Sequence, residues 1–304
     1  MKRVALLALA ICLVGAPGKP GLLVWASAAD GAPSSLFEQS ASAMLHRDFA
    51  DRDISYLLLD AGSGRILAQQ WDHPERPIPV GSLVKPFTAA AYGAAHHYRF
   101  PDHECAGGAT CWLPRGHGHL DLKHALAYSC NSYFRALASD VRAGQAAAVF
   151  HTYGLDTPAS GAMPEQLVGL DETWTIAPLQ LARAYLDLAS RRADPGIRQI
   201  LSGMSESARA GTGAGVDRRL AGQALAKTGT AACTHGGAPG DGFVVALVPA
   251  EAPTLLLMVR VHSVPGSRAA VTAGQMLERL SQRTAGVPPA VPRAPRPRSS
   301  AAGE

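Results

Sequence analysis

The sequence predicts an α+β fold: one antiparallel five-stranded sheet flanked by helices, with a mainly helical subdomain inserted between two groups of strands. Two observations carry this prediction. Two short β-prone segments lie early in the chain and three lie late, and the residues between the two groups have mainly helical patterns. A hydrophobic share of 47% over 304 residues is enough to bury one sizeable core.

The early strands form a predicted hairpin. Tyr56–Asp60 and Arg65–Gln69 are expected to be two strands, joined by the Gly-containing turn Ala61–Gly64. A Pro-rich stretch, Pro74–Pro79, then leads to an Ala-rich segment. We predict a helix there, from Ser82 to about Ala95.

The middle third is predicted to be helical. The pattern extends from Leu122 to about Ser190, and we place the helical insertion at about residues 86–200. A final helix is expected from about Ala269 to Arg283. Between the insertion and this helix lie three β-prone segments, which are Ala224–Cys233, Gly242–Pro249 and Thr254–His262.

The two ends differ in composition from the body. Residues 1–28 have basic residues after the first methionine, an apolar run, and small residues at 26–28, which is typical of a signal peptide. We therefore expect an exported protein, periplasmic or extracytoplasmic; the alternative is a membrane anchor formed by an uncleaved N-terminal segment. Residues 286–304 are Pro-rich and predicted to be a disordered tail. One domain, residues 29–285, remains.

The charge excludes one class of partner. The net charge of +4 comes from Lys and Arg residues near the two ends, so that residues 29–285 are close to neutral. A domain without a basic stripe lacks the side chains that bind phosphate backbones. We therefore expect no nucleic-acid partner.

Three short motifs carry reactive side chains: Ser82-Leu83-Val84-Lys85, Ser129-Cys130-Asn131 and Lys227-Thr228-Gly229-Thr230. On a helix, a spacing of three puts the hydroxyl and the amine of the first motif on one face. A serine hydroxyl is a weak nucleophile unless a base lies within hydrogen-bond reach, and a lysine is such a base only when its pKa is lowered. Each motif alone is common, so the inference depends on their order and context.

Together the motifs resemble those of penicillin-binding protein transpeptidase domains and serine β-lactamases. The resemblance covers about residues 50–283: Gly81–Thr88 resembles the family's Gly-Ser-x-x-Lys-Pro-Phe-Thr, Ser129–Phe134 its second motif region, and Ala226–Ala231 its Ala-Lys-Thr-Gly-Thr-Ala. It implies a β-lactamase/transpeptidase-like fold. The active site would lie between the sheet and the helical region.

The resemblance also implies catalytic roles. Ser82 would be the acylated nucleophile and Lys85 the base that takes its proton. Ser129 would pass a proton to the leaving amine, and Asn131 would bind the substrate amide. Lys227 would supply positive charge to the site.

The same resemblance implies that residues of the third motif bind the substrate. The hydroxyls of Thr228 and Thr230 would receive the terminal carboxylate of the donor peptide, and Gly229 would permit close approach of its backbone. The backbone N–H groups of Ser82 and Thr230 would form the oxyanion hole. No cofactor is expected.

The implied activity is that of a D,D-transpeptidase or D,D-carboxypeptidase on the D-Ala-D-Ala end of peptidoglycan stem peptides, covalently acylated by β-lactams. The alternatives are a serine β-lactamase and a non-catalytic penicillin- or peptidoglycan-binding module. Glu165 has a spacing reminiscent of a deacylating glutamate, but the residues after it do not match that pattern. A cell-wall enzyme is a further expected partner, of unknown identity. Trp112 and Trp174 are expected to be packing residues.

The cysteines allow several interpretations. Cys105 and Cys111 lie in one Gly-rich loop and are the candidates for a disulfide, because an exported protein meets an oxidising compartment. Cys130 and Cys233 flank the second and third motifs; the resemblance places them near one cleft, as free thiols or as a pair. A metal site is the alternative for the loop, but its spacing fits no common zinc module, and we expect none. Its candidate ligands are His103, Cys105, Cys111, His117 and His119.

Overall fold

The structure, a computed structural model, describes residues 35–158, 163–218, 220, 222–232 and 240–284. The predicted signal peptide, the predicted tail at 286–304 and Cys233 lie outside the described residues. Among the helices that are described, none combines the length and the apolar composition that a membrane span requires.

The strands of the main sheet form an early and a late group, as predicted, with most of the helices between them; one helix precedes the first strand and one follows the last. The strands are β1 (Ile54–Asp60), β2 (Ile66–Gln70), β3 (Ile78–Pro79), β4 (His103–Cys105), β5 (Gly118–Leu120), β6 (Thr175–Ile176), β7 (Leu225–Ala231), β8 (Asp241–Val248) and β9 (Leu255–Val261). The helices are α1 (Leu36–Asp48), α2 (Lys85–Ala95), α3 (Leu122–Ala127), α4 (Asn131–Ser139), α5 (Ala143–Thr152), α6 (Pro164–Val168), α7 (Pro178–Ser190), α8 (Pro195–Ala210), α9 (Ala214–Asp217) and α10 (Gly266–Thr284). Short 3₁₀ turns cover Gly81–Val84 and Gly108–Thr110.

The predicted five-stranded antiparallel sheet is confirmed. Its strand order is β2-β1-β9-β8-β7, and every neighbouring pair is antiparallel. The early hairpin joins the late strands through β1 and β9, where Ile54 pairs with Val261. This order leaves β7, the strand of the third motif, at one edge of the sheet.

The sheet separates two apolar cores. In β8, Val244 and Ala246 belong to the cluster that contains Ala273 of α10, while Val245 and Leu247 belong to the cluster of the helical region. Alternate residues of a strand point to opposite faces, so both faces of β8 are covered. This explains why the central strands are apolar along nearly their whole length instead of alternating with polar residues.

Two helical features differ from the sequence analysis. The helices continue to Asp217, past the expected end of the insertion near residue 200. Helix α1 was not expected, and it buries only Ala41, Met44 and Leu45. So short an apolar stripe gives little signal in a sequence.

The first motif begins in a 3₁₀ turn, not in an α-helix as expected, and α2 starts at Lys85. Gly81 has a φ of +58°, and a Cβ there would lie 2.3 Å from the Thr230 carbonyl oxygen. Gly169 has a φ of +75°, and its Cβ would lie 2.1 Å from the Gly81 carbonyl oxygen. The turn thus fits between β7 and the end of α6 only because both residues lack a side chain.

Replacing Gly81 by alanine tests this close fit, with Gly154→Ala as the matched control. Both glycines have positive φ, and a left-handed alanine costs about 1 to 2 kcal/mol at either position. Only at Gly81 does the added methyl meet backbone, since nothing lies within 4 Å of a Cβ on Gly154. We expect Gly81→Ala to lower the free energy of unfolding, measured in urea, clearly more than Gly154→Ala. Equal losses would show that the turn does not pack tightly on β7.

Candidate active site

A cleft of about 220 Å³ lies where the edge strand β7 meets the helical region. It collects residues from all three motifs together with residues that the sequence analysis did not single out. The lining residues are Ser82, Trp112, Ser129, Asn131, Leu170, Thr212, Thr228, Gly229, Thr230, Pro265, Gly266 and Ser267.

Ser82 is partly exposed on the 3₁₀ turn that leads into α2. Within the described residues its hydroxyl makes no hydrogen bond, so the oxygen is open to the cleft. The turn leads directly into the N-terminus of α2, which is the positive end of the helix dipole. The same turn packs on β7, where a Cβ on Gly81 would lie 3.2 Å from the Thr230 nitrogen. The two expected oxyanion donors therefore belong to adjacent backbone segments.

Lys85 is fully buried at the start of α2, three residues after Ser82. Its Nζ donates to the Ser129 carbonyl oxygen at 2.8 Å, to Ser129 Oγ at 3.2 Å and to Asn131 Oδ1 at 2.6 Å. Burial, the largest cause, lowers the pKa of Lys85 to about 7. Near neutral pH a substantial fraction of this amine is therefore unprotonated, as a base must be.

Lys227 reaches the same hydroxyl from the sheet. It is fully buried in β7, and its Nζ donates to Ser129 Oγ at 2.9 Å and to the Thr228 carbonyl oxygen. Burial, and then the positive charge of Lys85, lower the pKa of Lys227 well below its ordinary value. The Ser129 hydroxyl thus bridges two amines, and mutual repulsion keeps them from both being charged.

Ser129 lies on the turn between α3 and α4 with a φ of +51°, a conformation that costs a non-glycine residue about 1 to 3 kcal/mol. Backbone hydrogen bonds from Ser129 to Leu126 and from Cys130 to Ala125 hold the turn. In this conformation Oγ lies between the Lys85 and Lys227 amines. The proton relay implied by the resemblance would act there.

The two threonine hydroxyls of the third motif have different hydrogen-bond partners. Thr228 Oγ1 donates to Thr212 Oγ1 at 2.6 Å, and Thr230 Oγ1 accepts from the N–H of Gly266 at 3.0 Å. Gly229 lines the cleft, but a Cβ there would lie 2.8 Å from the Val80 carbonyl oxygen. The close backbone approach that this glycine permits is therefore with the Ser82 turn of the protein itself.

Sequence reasoning missed three parts of this site. Thr212 follows α8, far from every motif, and no pattern marks it. The first turn of α10, from Gly266, brings a helix N-terminus to the cleft, which suits a carboxylate, and only the sheet topology reveals this. Trp112 is 52% exposed and lines the cleft, so its expected packing role was wrong, whereas Trp174 is buried as expected.

The expected disulfide between Cys105 and Cys111 is not formed in the structure, where both thiols and that of Cys130 are free. The β4–β5 hairpin brings His117 between the thiols instead: its Nδ1 lies 3.6 Å from Cys105 Sγ and 3.5 Å from Cys111 Sγ. The sulfur of Cys130 lies 3.8 Å from that of Cys111.

The other two histidines considered for a metal site in this loop lie apart from the thiols. His103 Nε2 pairs with Ser132 Oγ at 2.7 Å. His119 is exposed near Asp102, 3.5 Å from its carboxylate. Of the described residues, only Cys105, Cys111, His117 and Cys130 form a group suited to hold a metal ion.

The buried Lys85 makes stability depend on pH. Its pKa is about 7 in the folded chain and near 10.5 when unfolded, so unfolding between these values takes up a proton and rising pH favours the folded state. From about pH 7 to 8.5 we expect the wild type to gain stability relative to Lys85→Met, by at most about 1.4 kcal/mol per pH unit. Urea unfolding at both pH values checks this, with the half-exposed Lys123→Met as control. A constant difference between wild type and Lys85→Met would contradict the shift.

The comparisons with known proteins agree with this geometry. The model of the penicillin binding protein transpeptidase domain matches residues 54–280. Pseudomonas aeruginosa PBP2, solved with WCK 5153, is 18% identical with a TM-score of 0.66, over 81% of this chain and 73% of that one. The transpeptidase domain of Burkholderia pseudomallei penicillin-binding protein 3 is 17% identical with a TM-score of 0.64, over 84% and 95%.

A third similar structure is Helicobacter pylori PBP2, solved in complex with MreC, at 15% identity and a TM-score of 0.66, over 81% of this chain and 62% of that one. At such identities the likeness establishes the fold. No curated protein matches by sequence. The family match covers most of the chain, and the chain belongs to the penicillin-binding protein transpeptidase domain family.

Proposed function

We propose that the chain is an acyl-serine peptidase that acts on the D-Ala-D-Ala end of peptidoglycan stem peptides, as a D,D-transpeptidase or D,D-carboxypeptidase, and that β-lactams acylate the same serine. The observation that carries the proposal is the meeting of two buried lysine amines on the Ser129 hydroxyl. The Ser82 hydroxyl, which makes no hydrogen bond within the described residues, lines the same cleft. Family membership agrees with it.

In the first step, Ser82 Oγ attacks the carbonyl carbon between the two D-alanines, and the neutral Lys85 amine takes the hydroxyl proton. The carbonyl oxygen becomes an anion held by the backbone N–H groups of Ser82 and Thr230, and one such donor contributes about 3 to 4 kcal/mol in comparable enzymes. As the C–N bond breaks, the leaving amine receives a proton through Ser129 Oγ. The product is a serine ester, which an amine or a water molecule then attacks by the reverse proton path.

The terminal carboxylate of the donor belongs at the β7 end of the cleft. Thr228, Thr230 and the α10 N-terminus line the cleft there. The Lys227 amine is buried beside them and donates to the Thr228 carbonyl oxygen. A bound carboxylate favours the protonated form of Lys227, which raises its pKa again. Substrate binding would thus place positive charge on Lys227 while Lys85 stays neutral.

One observation disfavours the β-lactamase alternative. The described residues that line the cleft include no carboxylate that would activate water against the acyl-enzyme. Glu165 is half-exposed and paired with Arg135, whose Nε lies 3.0 Å from its Oε1. A penicilloyl ester on Ser82 is therefore expected to persist.

The proposal also includes the location of the protein in the cell and a protein partner. Peptidoglycan lies outside the cytoplasmic membrane, and the sequence of residues 1–28 is typical of an export signal. The similar Helicobacter pylori PBP2 forms a complex with MreC. We accordingly include binding to a second cell-wall protein in the proposed function.

Replacing Ser82 by alanine should abolish acylation by penicillin and leave the fold intact, because the side chain makes no hydrogen bond within the described residues. The measurement is intact mass after incubation with penicillin. Ser139→Ala, a change at an exposed serine at the end of α4, is the control and should label like the wild type.

One stable adduct on the wild type and none on Ser82→Ala would support the proposal. Labelling of Ser82→Ala at the wild-type level would reject the nucleophile. A wild-type adduct that is lost within minutes would favour the β-lactamase alternative.

The two lysines should respond differently to arginine, whose guanidinium stays charged at working pH. Lys85→Arg removes a base and should lower the second-order acylation rate by several orders of magnitude. Lys227→Arg keeps the charge and should retain a measurable fraction of the rate, while Lys227→Ala loses more. Because both substitutions add similar bulk at fully buried sites, each controls for packing damage in the other.

The rates should be compared from about pH 6 to 9. Near wild-type acylation by Lys85→Arg, with Lys227→Arg inactive, would reverse the assignment and move the base to Lys227 and Ser129.

A further inference from the structure

Four side chains that the proposed mechanism does not use converge at one point beside the second motif. Cys105 ends β4, Cys111 follows the second 3₁₀ turn, His117 precedes β5, and Cys130 caps the N-terminus of α4. Their Sγ and Nδ1 atoms all lie within 4.8 Å of one another. We call this group the Cys₃His cluster.

Three distances within the cluster match the edges of a coordination tetrahedron, and the remaining pairs of ligand atoms lie within 4.8 Å. Zinc binds sulfur at about 2.3 Å and histidine nitrogen at about 2.0 to 2.1 Å, so the ligand atoms of a tetrahedral site are about 3.8 Å apart for two sulfurs and about 3.5 Å for sulfur and nitrogen. Here Cys111 and Cys130 Sγ are 3.8 Å apart. His117 Nδ1 lies 3.6 and 3.5 Å from the sulfurs of Cys105 and Cys111.

The surroundings suit a metal better than they suit free thiols. All three cysteines are buried, and the polar neighbours of His117 Nδ1 within the described residues are thiols, which are weak hydrogen-bonding groups. The histidine ring is held in place by stacking on Tyr128, with an interplanar angle of 4°. The Tyr133 N–H points at Cys130 Sγ.

We propose that Cys105, Cys111, His117 and Cys130 bind one zinc ion as a closed tetrahedral site. Binding displaces the protons of the three thiols and uses the neutral imidazole through Nδ1, with the remaining ring proton on Nε2. Four protein ligands leave no position for water or substrate, so the ion is structural.

The site has a direct connection to the catalytic cleft. Cys130 is the middle residue of the second motif, between Ser129 and Asn131, the two residues that accept from Lys85. Cys111 precedes Trp112, whose indole N–H donates to the Tyr128 carbonyl oxygen at the cleft rim. Zinc would therefore fix the strained Ser129 turn to the β4–β5 hairpin. The four ligands act as positioning residues.

Metal content of the purified full chain tests the site without any assay of activity. We expect one zinc ion per chain in the wild type and in the control His119→Ala, which changes an exposed histidine two residues from His117. His117→Ala and Cys130→Ser should lose the ion, and a serine at position 130 still caps α4. Wild type that binds no zinc after reduction and incubation with it, or His117→Ala and Cys130→Ser proteins that each keep a full zinc, would overturn the proposal.

If a ligand variant fails to fold, loading the wild type with cobalt tests the site instead. Wild type loaded with Co²⁺ should show the intense visible bands of a tetrahedral cobalt thiolate, and their absence would reject the site. A disulfide among the three cysteines in freshly purified wild type, found by non-reducing peptide mapping, would also reject it.

The expected effect of zinc on acylation rests on the proposed function. Removing zinc with EDTA under reducing conditions should slow penicillin acylation about 100-fold, and added zinc should restore it, since small displacements of positioned groups cost about that much. Bound zinc without acylation in any form would reject the proposed function and leave the site standing. Acylation that is unchanged by zinc removal would reject the link to Ser129.

Discussion

The structure depends on the burial of two lysine amines around one serine hydroxyl. Lys85 and Lys227 have no exposed surface, and Ser129 Oγ lies between their nitrogens at 3.2 and 2.9 Å. Burying an ammonium group without a counter-ion is costly, so burial favours the neutral form. The fold opposes that cost with carbonyl and amide acceptors and with large cores on both faces of the sheet. Stability and reactivity are therefore linked, because the solvent exclusion that destabilises charge also produces a base near neutral pH.

The same arrangement explains why glycines cluster where the turn, the sheet and α10 meet. A Cβ on Gly266 would lie 2.3 Å from the Gly229 carbonyl oxygen, and one on Gly229 would lie 2.8 Å from that of Val80. Backbone packs on backbone at each step from α10 through β7 to the Ser82 turn. Side chains with several rotamers would loosen this contact, whereas packed backbone holds the N–H groups of Ser82 and Thr230 rigidly.

Much of the fold followed from local pattern, and the rest depended on long-range contacts. The hairpin of β1 and β2 has a Gly-containing turn, and the late strands are short apolar runs, so both were predictable. The three motifs marked most of the site because reactive side chains at fixed spacing are visible in a sequence. Thr212 and the α10 N-terminus have no such mark, since only the sheet order brings them to β7. The cysteine loop shows the same limit. Cys130 completes the group around His117 but lies at the start of α4, outside the loop. The spacing of Cys105 and Cys111 within the loop therefore favoured a disulfide.

The pairing of β1 with β9 joins residues near opposite ends of the described chain, as with Ile54 and Val261. A sheet whose central contact closes so long a loop has high contact order, and such topologies fold slowly. During synthesis, β1 and β2 emerge well before β9, so the five-stranded sheet cannot form until nearly the whole domain has left the ribosome. Lys227 is buried only when β7 joins this sheet, so the reactive centre is assembled late in folding and a partly synthesised chain does not contain it.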